Sequence, residues 1–297
     1  MKALHRFYLV VHRDPLLVVC AIFLLLVVLL ATVGINYTGY RYDEISDASL
    51  LQPSRSHWFG TDINGHDLFT RTLFGARISL LVAGVGTLVS LTIGVTYGMI
   101  SGYMGGRVDN IMMRLVEIIY SLPTLVIVIV MVTSLEDHVA ALIKNVGLPG
   151  GYSRMILLFL FLGLTQWLTM ARIIRGQVLV LKQQPFVQAS LALGQSHARI
   201  LWQHLLPNLS GIIIVYLTMT IPSIMLDESF LSFLGVGVQA PLASWGTLVS
   251  DAAFLINPIR LYWWMLIFPG GLMTLTLLAL NFLGDGLRDA LDPRVRK

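Results

Sequence analysis

The sequence predicts an all-α integral membrane protein with six transmembrane helices. Three observations carry this. Of the 297 residues, 56% are hydrophobic and 12% are charged, and mean hydropathy is +0.78; a soluble chain this apolar could not cover its surface with polar groups. Six runs reach the roughly 20 residues that a hydrocarbon core requires. Alternating strands of the barrel kind are not seen, whereas helices satisfy their backbone hydrogen bonds within one segment, as lipid demands.

The first run, Pro15–Val33, follows Lys2, Arg6 and Arg13. Its apolar core is longer than the roughly 7–15 residues of a signal-peptide core, and no A-x-A site follows, so it reads as a retained span. It holds Cys20, the single cysteine, which excludes a disulfide within the chain and a thiol metal site. The polar stretch from Gly34 to Arg77, about 44 residues, is marginal for an independent core. Five further spans follow: Ile78–Ile100, Ile111–Thr133, Met155–Ile174, Leu209–Leu226 and Leu261–Leu283. Ser244–Ile256 reads as a short helix after the fifth span, with Ser244 as its cap. The chain therefore divides into residues 1–77, with the first span and its loop, and a five-span core, 78–297, containing a long loop at 176–208.

Orientation follows from Lys and Arg. With the N-terminus inside, the inner segments hold 13 of the 20 basic residues, Arg107, Arg172, Arg175, Lys182, Arg199 and Arg288 among them, against 7 outside. Both termini are expected in the cytoplasm, with the long loop.

Several chemistries lack their residues. None of the four lysines follows a glycine, so there is no P-loop. H-E-x-x-H and G-x-S-x-G are absent. All seven histidines fall outside the spans, whose central thirds carry no ionisable group; Arg114 and Glu117 sit near the start of the third. That argues against an intramembrane enzyme and a proton-coupled pump. His57, Asp62, His66 and Asp67 match no closed metal-ligand spacing. Asp62 and Asn64 suit a tight turn, and Asp67 suits a helix start. No metal site and no cofactor are expected in this chain.

The loop Gln188–Asn208 carries basic and polar residues and no acid. Phe186–Leu193 makes about two helical turns. Gly194 breaks them, because glycine adopts backbone angles that other residues avoid. Ser196 can cap a second short helix that runs toward Leu206 and ends at Pro207, with Ile200, Leu201, Trp202, Leu205 and Leu206 on its apolar side. The result is either a compact knob for an acidic groove on a partner or an amphipathic helix lying at the headgroups.

The spacing of these residues goes further. Gln188-Ala189-Ser190, three residues, Gly194 and then Leu206-Pro207 resembles the E-A-A-x3-G-x9-I-x-L-P loop of ABC-importer permeases, with Gln188 for Glu and His204 for Ile. Gly60-Thr61-Asp62-Ile63-Asn64-Gly65-His66-Asp67 resembles a G-T-D-x-x-G-R-D segment of that family. Gly75-Ala76-Arg77-Ile78-Ser79-Leu80, Leu231-Ser232-Phe233-Leu234-Gly235 with Pro241 and Trp245-Gly246, and Asn281-Phe282-Leu283-Gly284-Asp285-Gly286-Leu287-Arg288-Asp289 with Leu291-Asp292-Pro293-Arg294 follow in the family's order. The set is similar to the second permease subunit of dipeptide, oligopeptide and nickel importers.

That resemblance implies a type I ABC-importer permease fold in a bacterial plasma (inner) membrane. It implies a homologous second permease, two P-loop ATPases that bind ATP and Mg, an extracytoplasmic substrate-binding protein, and no nucleic acid. It makes Gln188, Ala189, Ser190, Gly194, Ser196, Arg199, His204, Leu206 and Pro207 the loop that couples to the ATPases. Thr218, Thr220, Pro222 and Ser223 of the fifth span become pathway candidates. Asp227 and Glu228, at its outer end, become candidate contacts for the binding protein. Peptides are the implied cargo, with nickel or another small solute as the alternative. A stand-alone secondary transporter is the rival of another class; it needs internal repeats, and LSFLG (Leu231–Gly235) beside LNFLG (Leu280–Gly284) is too short a match.

Overall fold

The computed structural model describes residues 15–145, 147, 152–256 and 260–291. The terminal basic residues Lys2, Arg6, Arg13, Arg294, Arg296 and Lys297 lie outside them, as does Asp292-Pro293-Arg294. Nine helices are described: α1 Pro15–Thr32, α2 Leu68–Met104, α3 Gly106–Tyr120, α4 Thr124–Asn145, α5 Tyr152–Leu181, α6 Pro185–Ala192, α7 His197–Phe233, α8 Trp245–Phe254 and α9 Trp263–Leu291. Six of them, α1, α2, α4, α5, α7 and α9, are long and apolar enough to cross a membrane. The only bridge of the β type among the described residues joins Thr61 to Asp67.

The central pair is α2 and α5. Their approach depends on small residues, since lipid offers no hydrophobic drive for helix pairing. Gly94, Gly98 and Gly102 recur every fourth residue along one face of α2. A Cβ on Gly98 would fall 2.5 Å from the Ala171 carbonyl oxygen, and one on Gly94 would fall 2.6 Å from Met170 Cβ. From α5, Gly163 returns the approach toward the Gly86 carbonyl. Around this pair, Val82 of α2, Val128 and Val132 of α4, Leu158 and Leu162 of α5, and Ile224 and Leu231 of α7 bury one core. α1 packs at the edge, where Leu17 fills the space beside Gly286 of α9.

Two expected boundaries move. α2 begins ten residues before the expected Ile78, so the division at residue 77 falls inside a continuous helix. At 37 residues it is about 55 Å long, well beyond the roughly 30 Å of a hydrocarbon core. The third expected span, Ile111–Thr133, is not one helix. α3 stops at Tyr120, and the helix able to span begins at Thr124. The cause is Pro123, which has no N–H to continue the ladder and restricts the residue before it. Arg114 and Glu117 accordingly sit on α3, as an exposed ion pair at 3.3 Å. α3 lays Val116 against Trp167, Leu168 and Ala171 of α5.

Residues 40–67 form a compact cap over the end of α2. Thr61 and Leu51 exchange hydrogen bonds, and Asp62 Oδ1 accepts the amides of Asn64 and His66 in a tight turn.

Candidate functional site

The knob is built from α6, the turn at Leu193–Ser196 and the start of α7. Gly194 turns the chain with φ +73°, where a side chain is strained. Ser196 caps α7 by accepting from the Arg199 amide. The second helix does not end at Pro207. It widens into a π turn over Ile200–Leu205 and continues as α7 through Leu206 and Pro207 to Phe233. Widening is a recurrent way to carry a helix past an interrupted ladder, and Asn208 adds a side-chain bond to the His204 carbonyl at 2.7 Å. The second half of the knob and the fifth span are thus one continuous helix.

Packing holds the knob against the membrane helices. Val187, Ile200, Leu205 and Leu209 are buried against Val95, Met99 and Tyr103 of α2 and Met170, Ile174 and Val178 of α5. Trp202, expected on the apolar side, is instead 55% exposed, because two residues from the buried Ile200 is nearly the opposite side of the helix. Polar ties complete the joint. Tyr103 Oη lies 2.8 Å from His197 Nδ1, Lys182 Nζ donates to the Tyr103 carbonyl at 2.7 Å, and His204 Nε2 lies 2.8 Å from Gln195 Oε1. Gln188 donates to the Lys182 carbonyl, and the buried Ser190 hydroxyl donates to the Phe186 carbonyl. The outer face presents Gln188, Ala189, Leu193, Gly194, Ser196, Arg199 and Trp202. Leu193 alone is 82% exposed. Tyr103, Lys182 and His197 were not singled out from the sequence; no local motif marks them, because their partners lie on other helices.

Beside the knob, Asp109 of α3 is clamped by Arg175 of α5, with Nε–Oδ1 at 2.5 Å and NH2–Oδ2 at 2.6 Å, and by the Ser101 hydroxyl at 2.6 Å. The Arg175 guanidinium, with Ser101, holds the Asp109 carboxyl below the usual carboxylate range against the opposing effect of burial.

Asp227 and Glu228 are adjacent, and neither ends a span. Glu228 has no exposed surface. It accepts from Ser244 at 2.6 Å, Ser232 at 2.7 Å and Ser79 at 3.5 Å, tying α7 to α2 and to the cap of α8. A fully buried side chain offers nothing to an external protein, so Glu228 is withdrawn as a binding-protein contact. Asp227, half-buried, accepts from Gln166 Nε2 at 3.0 Å. Gln166 is the midpoint of the 30-residue α5, so Asp227 sits against the middle of a candidate spanning helix and not at an outer helix end. Helix-end assignment failed because α7 runs on to Phe233.

Two of the four pathway candidates lie beside Gln166, while Thr218 packs against Gly284 of α9. Thr220 and Ser223 line a cavity of about 270 Å³ with Gln166, Thr169, Tyr216 and Asn281. Thr218 donates to Val215, Thr220 to Tyr216 and Ser223 to Met219, all on their own helix. Pro222 is buried within α7.

At the far end, the four residues considered for a metal form two separate groups. Asp62 pairs with His66 at 2.8 Å and Arg71 at 2.7 Å, while Asp67 pairs with His57 at 2.9 Å and caps α2 through the Thr70 amide at 2.8 Å.

The fold and these features define a polytopic α-helical membrane protein with a packed two-helix knob and a polar face beside the middle of a spanning helix. The chain belongs to the family described as binding-protein-dependent transport system inner membrane component, whose profile matches residues 94–297. It is 43% identical over 290 residues to the oligopeptide transport system permease protein OppC of Bacillus subtilis (strain 168), covering 96% of this chain and 88% of that one. It is 46% identical over 247 residues to the dipeptide transport system permease protein DppC of the same organism, covering 83% and 72%. With OppC of Escherichia coli (strain K12) the identity is 42%, over 93% of this chain and 86% of that one. A chain of the MetNI methionine ABC transporter, solved in inward-facing conformations, shares the fold with a TM-score of 0.53 at 15% identity, over 73% of this chain and 94% of that one. The fold is therefore that of an ABC-importer permease, and the chain is a multi-pass membrane component of a transport system.

Proposed function

We propose that this chain forms half of the translocation pathway of an ATP-driven importer of di- and oligopeptides. A homologous permease supplies the other half, and an extracytoplasmic binding protein delivers cargo. Two cytoplasmic ATPases, which carry the ATP and Mg, seat on the knobs. The knob end then faces the cytoplasm, with both chain termini, in a bacterial inner membrane.

The observation that carries this reading is mechanical. The knob is continuous with α7 and buried against α2 and α5, so a partner that displaces the knob displaces three spans together. Its exposed face holds no acid and offers Leu193 and Trp202 to a groove. ATP-driven closure of the partners changes the bundle only to the extent that they bind its two states differently. A rigid joint is what conveys that difference. Peptide cargo is supported by the names of the relatives, oligopeptide and dipeptide permeases at 43% and 46% identity.

The experiment is purification of the intact complex in mild detergent by a tag on this chain, followed by uptake assays in proteoliposomes. Co-purification of a second permease and a P-loop ATPase, loss of the ATPase in Gly194→Pro, and ATP-dependent peptide uptake are expected. Proline cannot adopt the positive φ of Gly194. Uptake of nickel but not peptide would select the alternative cargo. Transport by the chain alone without ATP would establish a secondary transporter instead.

A further inference from the structure

We propose that Asp227, with the acceptors around it, is a membrane-depth subsite for the protonated amino group of a passing substrate; this rests on the peptide-import reading.

An ionisable side chain inside a membrane protein is costly and needs a reason. Glu228 has one, in its three hydroxyl donors. Asp227 receives a single described hydrogen bond, from a neutral amide, and none of the ion pairs among the described residues involves it. Its carboxyl therefore has no cationic partner among the described residues.

The surroundings specify the missing partner. Thr220, Ser223 and Asp227 follow one another at spacings of three and four, which places them on one side of α7. A hydroxyl has one hydrogen to donate and lone pairs to accept with. The Thr220 and Ser223 hydrogens are spent on the Tyr216 and Met219 carbonyls. One of the two Gln166 amide hydrogens is spent on Asp227, which leaves the other hydrogen and Oε1 facing the cavity. Ser223 is exposed, Asp227 is half-buried, and Gln166, Thr220 and Ser223 line the same cavity of about 270 Å³. The face thus offers a carboxyl group without a cationic partner among the described residues, beside hydroxyl oxygens and the amide groups of Gln166 and Asn281. A cation with several donors suits an unpaired carboxyl flanked by acceptor oxygens, and an alkylammonium is such a group. The Gln166 bond aims the carboxylate, and the hydroxyl ladder gives the ammonium successive weak partners along α7. A site for a transported group has to be weak enough to leave.

The test uses the complete complex in proteoliposomes, with its permease partner, ATPases and binding protein, and trialanine as the probe. Asp227→Asn keeps the acceptor for Gln166 and removes the charge; Asp227→Glu keeps the charge. Asp227→Asn is expected to lower ATP-dependent trialanine uptake roughly tenfold or more, while ATP hydrolysis stimulated by loaded binding protein persists. Asp227→Glu is expected to stay within about threefold of wild type. Wild-type uptake in Asp227→Asn, or an equal loss in Asp227→Glu, overturns the subsite while leaving the peptide importer intact. A wild-type complex that hydrolyses ATP but imports no trialanine overturns the peptide reading, and the subsite with it.

Discussion

Tyr103 and His197 are 94 residues apart in sequence and hydrogen-bonded in space, with Oη 2.8 Å from Nδ1. The contact joins the end of α2 to the first residue of α7, and Lys182, just past α5, closes the same point from the other side. Three spans therefore meet the knob at one tyrosine. Removing the hydroxyl in Tyr103→Phe keeps the ring and its packing. A net hydrogen bond of about 1 kcal/mol is lost. Substrate uptake per ATP hydrolysed is expected to fall several-fold, and His197→Ala to do the same. If the bond is the shared cause, the double variant is no worse than either single one; additive losses would count against a joint role.

The glycine ladder makes a graded prediction. Gly98→Ala places a methyl 2.5 Å from the Ala171 carbonyl oxygen and forces α2 away from α5. Overpacking of that kind costs about 1–3 kcal/mol, read as a lower thermal midpoint of the purified complex. Gly211→Ala is the control, because its Cβ meets nothing within 4 Å. Alanine in a helix interior gains up to about 1 kcal/mol over glycine, so this variant is expected to match or exceed wild type. Equal behaviour of the two variants would show that the Gly98 approach is not tight.

Glu228 separates charge from geometry. Glu228→Ala removes the acceptor of Ser244, Ser232 and Ser79 at once. Each orphaned buried hydroxyl costs about 1–3 kcal/mol, so the complex is expected to melt well below wild type. Glu228→Gln keeps an acceptor oxygen and is expected to lose far less. A Glu228→Ala protein as stable as wild type would show that the three serines find other partners.

Asp109 carries a pH signature. The Arg175 hydrogen bonds, helped by Ser101, depress its carboxyl below the ordinary value of 3.8. For a depressed carboxyl, the added stability is complete above the unfolded value and disappears as pH falls through the folded one. Asp109→Asn is therefore expected to cost about 1–3 kcal/mol at neutral pH. The gap from wild type narrows as the pH is lowered below about 4. Thermal midpoints across that range decide it; a gap independent of pH would assign the loss to packing.

Much of the scaffold was legible in the sequence because bilayer physics acts locally. An apolar run of span length has few alternatives, and the spans at α1, α5, α7 and α9 lie where hydropathy placed them, α5 and α7 extended at both ends and α9 at its C-terminal end. Gly194 and Ser196 were legible for the same reason: a positive φ and a cap are properties of a few adjacent residues. The break at Pro123 had a signal in the proline itself and in Arg114 and Glu117 ahead of it, but the apolar residues between and after them hid it. The glycine ladder of α2 was also written at a four-residue spacing, and its meaning depended on which helix it faced.

Local pattern determined that this chain crosses a membrane as helices and bends into a knob between two of them. Tertiary structure decided what those pieces touch. Asp227 and Glu228 are neighbours with the same charge, and sequence puts them in one place. The fold turns one toward three serines in the core and the other toward Gln166 and an open polar face. Adjacent residues on a helix point about 100° apart. What lies in each direction is set by helices that are distant in the chain, and no local rule carries that information.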